Sequence, residues 1–415
     1  MTSSLPTLGR DARLIFATRT LRMFGYGLVS VVLVLYLAAL GLRDASIGLL
    51  LTLTLAGDAV ISLWLTTHAD RIGRRRVLLV GALLMAGAGV AFAATDVFVL
   101  LAAAATIGVI SPSGNEVGPF LAVEQASLAE TVTDHERTRV FAWFNLVGSF
   151  ATASGALIGG AFAAILIASG VGAVAAYRDV VLGYAVIALL LAALFTRVSP
   201  AVEVRDAPDT SVARRLGLHR SQRTVARLSA LFALDAFGGG FVVQALIAYW
   251  FHLRFGASPA LIGGILFVAN ILAGISALLA VRIAARIGLI RTMVFTHLPS
   301  NILLILVPFM PTLELAAAVL LVRYSISQMD VPTRQSYTIA VVDPDERSAA
   351  AGVTGIARSI GAAAAPLASA PLIGSVALAG LPFVIAGSLK IIYDLLLYRS
   401  FKSMPAPEET PAERR

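Results

Sequence analysis

The sequence has no cysteine among its 415 residues, which excludes disulfide bonds and thiolate metal sites. Charged residues are also scarce, at 13% of the chain. A Gly-x4-Gly-Lys-Ser/Thr phosphate-binding loop is missing, which argues against ATP-driven transport by this chain. Metal-ligand spacings and nucleophile elbows are missing too. We therefore expect no enzyme activity, no cofactor and no metal site.

Apolar sequence is abundant instead: 58% of the residues are hydrophobic and the mean hydropathy is +0.87. A soluble domain of this composition would expose large apolar patches, whereas a helix that crosses a bilayer needs about 20 apolar residues. Such segments are predicted at 14–40, 46–67, 77–95, 97–130, 138–168, 179–196, 227–253, 259–281, 292–310, 312–341, 347–372 and 381–400. The expected fold is all-α, with twelve transmembrane helices in two six-helix bundles.

One long polar stretch divides the apolar segments into two sets of six. The sequence thus predicts an N-terminal bundle at 1–196, a linker at 197–226, a C-terminal bundle at 227–402 and a disordered tail at 403–415. The first apolar segment is longer than the core of a signal peptide, so we expect it to remain as a helix.

The net charge is +8, and the basic residues are distributed unevenly between the two sides of the predicted membrane. On one side of the predicted membrane the connections carry 17 Lys and Arg residues, and on the other side they carry only Arg43, Arg178 and Arg254. The basic side is expected to be cytoplasmic, together with both termini. The expected location is the inner membrane of a bacterium, and the basic face would contact lipid head groups. No basic patch is interleaved with aromatics, so we expect no nucleic-acid partner.

The two halves resemble each other in three places, at offsets of 210 to 215 residues. "LRMFGYG" matches "LDAFGGG", which makes Arg22 equivalent to Asp235. "ADRIGRRR" matches "AARIGLIR". "EQASLAETVTDHERTR", from Glu124, matches "RQSYTIAVVDPDERSA", from Arg334. Two parallel repeats of six helices indicate a transporter of two pseudo-symmetric bundles.

"HADRIGRRR" after the second helix resembles the signature of the major facilitator superfamily, although Thr66 stands where that signature has glycine. Glu130 and Arg137 have the Glu-x6-Arg spacing of many members. The resemblance implies a cytoplasmic network of ion pairs that holds one conformation closed. Its expected members are Asp70, Arg71, Gly73, Arg74, Glu130 and Arg137. The alternative is that the arginines only fix topology.

"GALIGG" in the fifth helix resembles the antiporter motif of the drug/proton branch, with Ala156 in place of proline. Close helix packing is the competing interpretation of these glycines. The packing set predicted from the sequence is Gly148, Gly155, Gly159 and Gly160.

Ionisable side chains at bilayer depth cost about 2.5–3.5 kcal/mol each, so they are functional candidates. Arg22 and Asp235 are predicted to face each other as an ion pair. Glu116 lies in "SPSGNEVGP", whose prolines and glycines should break the fourth helix. It is either a proton carrier or the ion-pair partner of Arg323 or Arg358. The predicted substrate and proton pathway comprises Arg22, Tyr26, Asn115, Glu116, Asp235, Arg323, Tyr324, Gln328, Asp330 and Arg358.

Two further expectations concern polar groups inside the helices. Asp58, Asn270, His297 and Asn301 are predicted to be hydrogen-bonding groups between helices. Lys390 and Asp394, four residues apart, are predicted to pair locally.

These features favour a secondary active transporter, monomeric and driven by the proton gradient. Efflux of amphipathic compounds by antiport is the first hypothesis, and uptake of a small organic anion by symport is the alternative. A membrane sensor or a lipid-translocating protein is a third possibility from another class.

Overall fold

The computed structural model describes residues 9–116, 118–131, 134–199, 219–343 and 346–404. This part of the chain is helical and contains no strand. Ten helical segments, two of which contain a short interruption, are long and apolar enough to cross a membrane. The predicted all-α membrane fold is confirmed.

The first half of the chain contains seven helices within the described ranges. They are α1 (Arg10–Ala39), α2 (Asp44–Ile72), α3 (Arg74–Ala94), α4 (Phe98–Ile107), α5 (Phe120–Thr131), α6 (Asp134–Ala168) and α7 (Ala173–Phe195).

The second half contains nine helices within the described ranges, with a 3₁₀ turn (Val307–Phe309) after the fourth of them. They are α8 (Gln222–Gly240), α9 (Gln244–Phe255), α10 (Pro259–Ile287), α11 (Leu289–Leu306), α12 (Leu313–Tyr324), α13 (Asp330–Ala340), α14 (Arg347–Ala364), α15 (Pro366–Gly374) and α16 (Leu381–Phe401).

The fourth predicted span of each half is interrupted. In the first half α4 ends at Ile107 and α5 begins at Phe120, so the break that Pro112, Gly114, Gly118 and Pro119 predict is confirmed. In the second half α12 and α13 are separated by residues 325–329. When each of these pairs and the two further pairs described next are counted as one span, the sixteen described helices account for twelve spans.

Two other spans are interrupted where the sequence predicts continuous helices. α8 and α9 are separated by residues 241–243, directly after three consecutive glycines. α14 and α15 meet at Pro366, whose ring occupies the position of a backbone donor. Short apolar interruptions of this kind do not alter hydropathy, which explains why the apolar pattern alone did not indicate them.

The backbone groups that a break exposes need partners at bilayer depth. The Tyr184 hydroxyl donates to the carbonyl oxygen of Val109 in the first break. The Asp58 carboxylate accepts the Gly118 N–H at 2.6 Å, from the far end of the same break. In the second half the Ser369 hydroxyl donates to the Phe241 carbonyl oxygen at 2.6 Å. Side chains on other helices thus fix these irregular segments.

The helices divide into two compact units. Unit 1 comprises Met1–Leu42, Leu53–Ser211 and Ser258–Phe267, and unit 2 comprises Arg43–Thr52, Val212–Ala257 and Val268–Arg415. This division departs from plain N- and C-terminal halves, because the first turns of α2 belong to unit 2 and those of α10 belong to unit 1.

Within unit 1, α1 packs against α6 and α7 and is buried along most of its length. Within unit 2, α8 packs against α14 and α16, and α11 packs against α13 and α16. These central helices carry the charged side chains described next.

Candidate functional site

Unit 1 contains a buried cluster of four charged side chains, Arg19, Arg22, Glu116 and Glu124, which we call the Arg22 cluster. Both terminal nitrogens of Arg22 donate to Glu124, Nη1 to Oε1 at 2.6 Å and Nη2 to Oε2 at 2.8 Å. Its Nε donates to Glu116 Oε1 at 2.9 Å. The guanidinium therefore lies between two carboxylates, in the paired geometry that makes Arg–carboxylate contacts strong.

The surroundings of the Arg22 cluster complete its hydrogen bonding. The Thr18 hydroxyl donates to Glu124 Oε1 at 3.0 Å, and Arg19 Nη1 donates to the other oxygen of Glu116 at 2.5 Å. The Arg22 guanidinium also lies 4.5 Å from the ring centre of Phe120. The side chains of Arg22 and Glu124 are both 0% exposed. Two arginines and two carboxylates balance, which allows this degree of burial.

Unit 2 contains a second cluster around one carboxylate, Asp235 on α8, which we call the Asp235 cluster. Lys390 Nζ donates to Asp235 Oδ1 at 2.6 Å. Arg358 Nη1 and Arg334 Nη1 lie 3.1 and 3.4 Å from Oδ2. Arg334 also donates to Asp330 at 2.7 Å. Three cations from three different helices thus converge on the Asp235 carboxylate.

A histidine extends the Asp235 cluster on the Oδ1 side. His297 Nε2 lies 4.0 Å from Asp235 Oδ1, and His297 Nδ1 lies 2.9 Å from Oδ1 of Asp394. Asn301 Nδ2 donates to the other oxygen of Asp394 at 2.9 Å. Asp394 is thus held by α11, the helix that carries both His297 and Asn301.

The two clusters occupy equivalent places in the repeat with opposite charges. Arg22 aligns with Asp235, and Glu124 aligns with Arg334. In unit 1 the base stands on the first span and the acid on the fourth, and in unit 2 the acid stands on the first span and the base on the fourth. Glu124 and Arg334 were not predicted as site residues. The signal that would have found them was present, since both open the third matched segment.

The predicted ion pair between Arg22 and Asp235 is wrong. Each has partners inside its own unit, because opposite charges at the equivalent fourth-span positions satisfy it there. The predicted partners of Glu116, Arg323 or Arg358, are also wrong, since Glu116 binds Arg19 and Arg22.

The predicted local pair of Lys390 and Asp394 is wrong for the same kind of reason. Lys390 reaches Asp235, and Asp394 binds His297 and Asn301, because the interior of unit 2 offers closer partners than the next turn of α16. The hydrogen-bonding role predicted for His297 and Asn301 is confirmed. Asn270, which donates to Gln244 at 3.2 Å, and Asp58 also have partners on other segments.

The remaining predicted pathway residues lie on the same helices and breaks. Tyr26 is buried one turn after Arg22, and Asn115 is exposed in the break beside Glu116. Arg323 is buried with its guanidinium 5.1 Å from the ring centre of Tyr324, and its Nε has no hydrogen-bond partner among the described residues. Gln328 lies in the break before Asp330, where its N–H donates to the Ser276 hydroxyl at 3.3 Å.

Three of the six predicted residues of the cytoplasmic gate, Asp70, Glu130 and Arg137, have side chains outside the described part of the structure. Gly73 forms the turn before α3 with φ +103°, a conformation that favours glycine. Arg71 and Arg74 lie on either side of it, and Arg74 is buried. The gate network stays a prediction.

The predicted packing glycines allow close approach of helices. A Cβ at Gly155 would collide with the Phe24 carbonyl oxygen, and one at Gly159 would lie 2.6 Å from that of Leu28, both on α1. Gly160 meets Pro259, at the start of α10. Gly148 instead makes room for the Arg19 guanidinium, 2.8 Å from where its Cβ would be. The glycines of "GALIGG" therefore have a packing role, with no need to invoke antiport.

Among the described residues there is no group of three or more His, Cys, Asp or Glu side chains that could hold a metal ion.

Twelve spans in two similar sets of six, with ion pairs buried on the first and fourth spans of each set, define a secondary-transporter architecture. The family model of the Major Facilitator Superfamily matches residues 15–366, and the chain belongs to that family. It is therefore a transporter and not an enzyme.

The chain is 31% identical over 427 residues to Uncharacterized membrane protein YJR124C of Saccharomyces cerevisiae, a match that covers 96% of this chain and 95% of the yeast protein. The fold is similar to that of the nucleoside transporter NupG, with a TM-score of 0.74 and 12% identity over 95% of this chain and 100% of that one. It is also similar to a D-xylose-proton symporter, with a TM-score of 0.71 and 16% identity over 94% and 97% of the two chains.

Proposed function

We propose that this transporter couples proton movement to the transport of a small organic anion. The observation that carries the proposal is the convergence of Arg334, Arg358 and Lys390 on the single carboxylate of Asp235. One carboxylate does not neutralise three cations, and the second acid, Asp330, forms its ion pair with Arg334.

Arg358 is the cation of this set that can meet a substrate. Its side chain is 33% exposed, against 7% for Arg334 and 10% for Lys390. A guanidinium presents a planar pair of donors that matches a carboxylate or sulfonate. An anion that binds Arg358 would replace its 3.1 Å contact with Asp235. Arg323, with an unpartnered Nε, would add positive potential to the same unit.

The relatives are compatible with proton coupling, since one solved neighbour is a D-xylose-proton symporter. Efflux of amphipathic compounds by antiport remains the competing hypothesis. The glycine motif that suggested it packs α6 against α1 and so gives it no independent support.

The test uses purified full-length protein in liposomes that enclose a pH-sensitive dye. Dicarboxylates and sulfonates are added outside, because these anions cross protein-free bilayers poorly. We expect at least one to acidify the lumen as it enters, and we expect Arg358→Gln to lose that signal. Protein-free liposomes are the control. Proton flux elicited only by amphipathic cations, in the direction opposite to their own movement, would overturn the proposal in favour of antiport.

We further propose that the basic connections and both termini face the cytoplasm, and that the protein works as a monomer in the inner membrane of a bacterium. The distribution of 17 against three basic residues supports the orientation.

A further inference from the structure

The imidazole of His297 lies between two carboxylates. Its Nδ1 is 2.9 Å from Asp394 Oδ1, and its Nε2 faces Asp235 Oδ1 at 4.0 Å. A neutral imidazole has one N–H and one lone pair, so it can satisfy only one acid and points a lone pair at the other. The doubly protonated ring suits both neighbours. The geometry is therefore that of a site for one additional proton.

We propose that His297 is the proton-binding group of this transporter and that its protonation releases Arg358 to bind an anion. This inference rests on the proposed function, because it explains how proton and anion would be coupled within unit 2.

The release follows from competition for one carboxylate. Lys390 and His297 face Oδ1 of Asp235, while Arg334 and Arg358 lie on Oδ2. A proton on Nε2 adds a fourth cation to a carboxylate that already holds three. Each cation is then held less strongly, and the four repel one another more. Arg358, whose side chain is the most exposed of the four, is the one that can leave.

The other charged groups nearby do not substitute for His297. The acids in and beside the Asp235 cluster are Asp235 on α8, Asp330 on α13 and Asp394 on α16, and Asp235 and Asp394 are the two that face the imidazole. The cations are Arg323 on α12, Arg334 on α13, Arg358 on α14 and Lys390 on α16, and the Tyr393 ring centre lies 6.0 Å away. Histidine is the residue type in this set that takes up or releases a proton near neutral pH.

The consequence is positive coupling between proton and anion. A proton that frees Arg358 strengthens anion binding, and a bound anion strengthens proton binding by the same factor. When both are loaded, the cations are balanced again, because the anion supplies the charge that Asp235 no longer provides to Arg358. This is the linkage that symport requires.

The experiment measures the accessibility of Arg358 directly, without a substrate. Purified full-length protein is treated with phenylglyoxal, an arginine reagent, at several values between about pH 5 and 8. Modification of Arg358 is quantified by mass spectrometry relative to Arg220, whose side chain is 83% exposed. The ratio removes the intrinsic pH dependence of the reagent. We expect the ratio to be several-fold higher at the acid end.

Three variants test whether His297 causes the pH dependence of Arg358 modification. His297→Gln should give a ratio that no longer depends on pH. His252→Gln is the matched control, since His252 is exposed and its Nδ1 bonds to the nearby Ala257 carbonyl, and it should behave as the unmodified protein. Asp394→Asn should move the midpoint of the profile to lower pH, because a carboxylate that favours the imidazolium has been removed. If His297→Gln fails to fold, the profile of the unmodified protein and that of Asp394→Asn decide.

A ratio that is flat in the unmodified protein, or that keeps its pH dependence in His297→Gln, would overturn the inference. Anion transport separates this from the proposed function. A pH-dependent ratio that His297→Gln abolishes, without transport of any dicarboxylate or sulfonate, would support the switch and reject the substrate class. Anion-driven proton uptake that is unchanged in His297→Gln would support the proposed function and reject the switch.

Discussion

The buried charged residues of unit 1 are stabilised by complete charge pairing. The Arg22 cluster balances two cations with two carboxylates, and its hydrogen bonds come from four segments of unit 1. A buried pair of this kind adds little over apolar packing while intact, but the removal of one partner leaves an uncompensated charge. Substitutions of different members of the cluster should therefore destabilise the protein by different amounts. The loss should be smaller where the remaining residue keeps another ion-pair partner.

Glu124→Gln should destabilise the protein strongly, by about 3–5 kcal/mol, because it removes the charge of the carboxylate that binds both terminal nitrogens of Arg22, in a site with no exposure. Glu116→Gln is the matched comparison and should cost less, since Arg22 keeps Glu124 and the Glu116 side chain is 15% exposed. Thermal unfolding in detergent measures both. Equal melting temperatures for the two variants would contradict this ranking.

Glu346 gives a stability effect with a definite pH dependence. Its carboxylate accepts the N–H groups of His219, Arg220 and Ser221 just before α8. Hydrogen bonds from the Ser221 side chain and the His219 backbone lower its pKa from 4.5 to about 2. The folded state therefore binds this proton less readily than the unfolded state. The stabilisation is full above about pH 4.5 and is lost as the pH falls toward 2.

Glu346→Gln should accordingly lower the melting temperature at neutral pH, and the difference from the unmodified protein should shrink as the pH falls below about 4.5. Glu314→Gln is the control, because Glu314 is exposed on the first turn of α12 and bonds only locally. A difference that stays constant down to acid pH would show that the carboxylate charge is not what stabilises this junction.

At the scale of helices, close backbone contact positions the charged residues. Gly155 on α6 lets α1 approach until the Phe24 carbonyl is in contact, and Gly27 on α1 does the same toward Thr152. Glycine gives up some helix propensity at these positions in return for close van der Waals packing. The same packing aligns Gly148 with Arg19, so the α1–α6 contact and the Arg22 cluster depend on each other.

Gly155→Ala should destabilise the protein by about 1–3 kcal/mol, because the added methyl group overlaps backbone atoms that cannot move aside as a side chain can. Gly183→Ala on α7 is the matched control, since no atom lies within 4 Å of its Cβ position. Thermal unfolding of both variants tests this. Equal tolerance of the two alanines would mean that α1 and α6 are less closely packed than the structure indicates.

At the scale of the whole molecule, the repeat gives each unit its own cluster of buried ion pairs. The predicted orientation can be tested because the chain has no cysteine, so that single cysteines need no background substitutions. Ser169→Cys, in the turn after α6, should react with a membrane-impermeant maleimide applied outside the cell. Ser403→Cys, beyond α16, should react only after the membrane is opened. The reverse pattern would place the termini outside.

The sequence predicted the helices and the first-half break well, because apolar runs and the Pro112–Pro119 region act locally. It predicted that Arg22 and Asp235 would be buried but assigned them the wrong partners. Partner choice depends on how each helix is rotated about its axis, and hydropathy does not record that rotation. Lys390 illustrates the point. It binds Asp235, which is 155 residues distant in the chain, and not Asp394, which lies one turn away on the same helix.

The same separations bear on how the protein is made. Arg22 enters the membrane with the first helix, but its partners Glu116 and Glu124 are synthesised 94 and 102 residues later. The partners of Asp235 are Arg334 and Lys390, which are synthesised 99 and 155 residues after it. In each half the first helix is thus inserted with an unneutralised charge, which only the arrival of later helices can compensate. A ribosome that stops midway through either half leaves a nascent chain with an exposed intramembrane charge, a mark by which quality control can recognise an unfinished product.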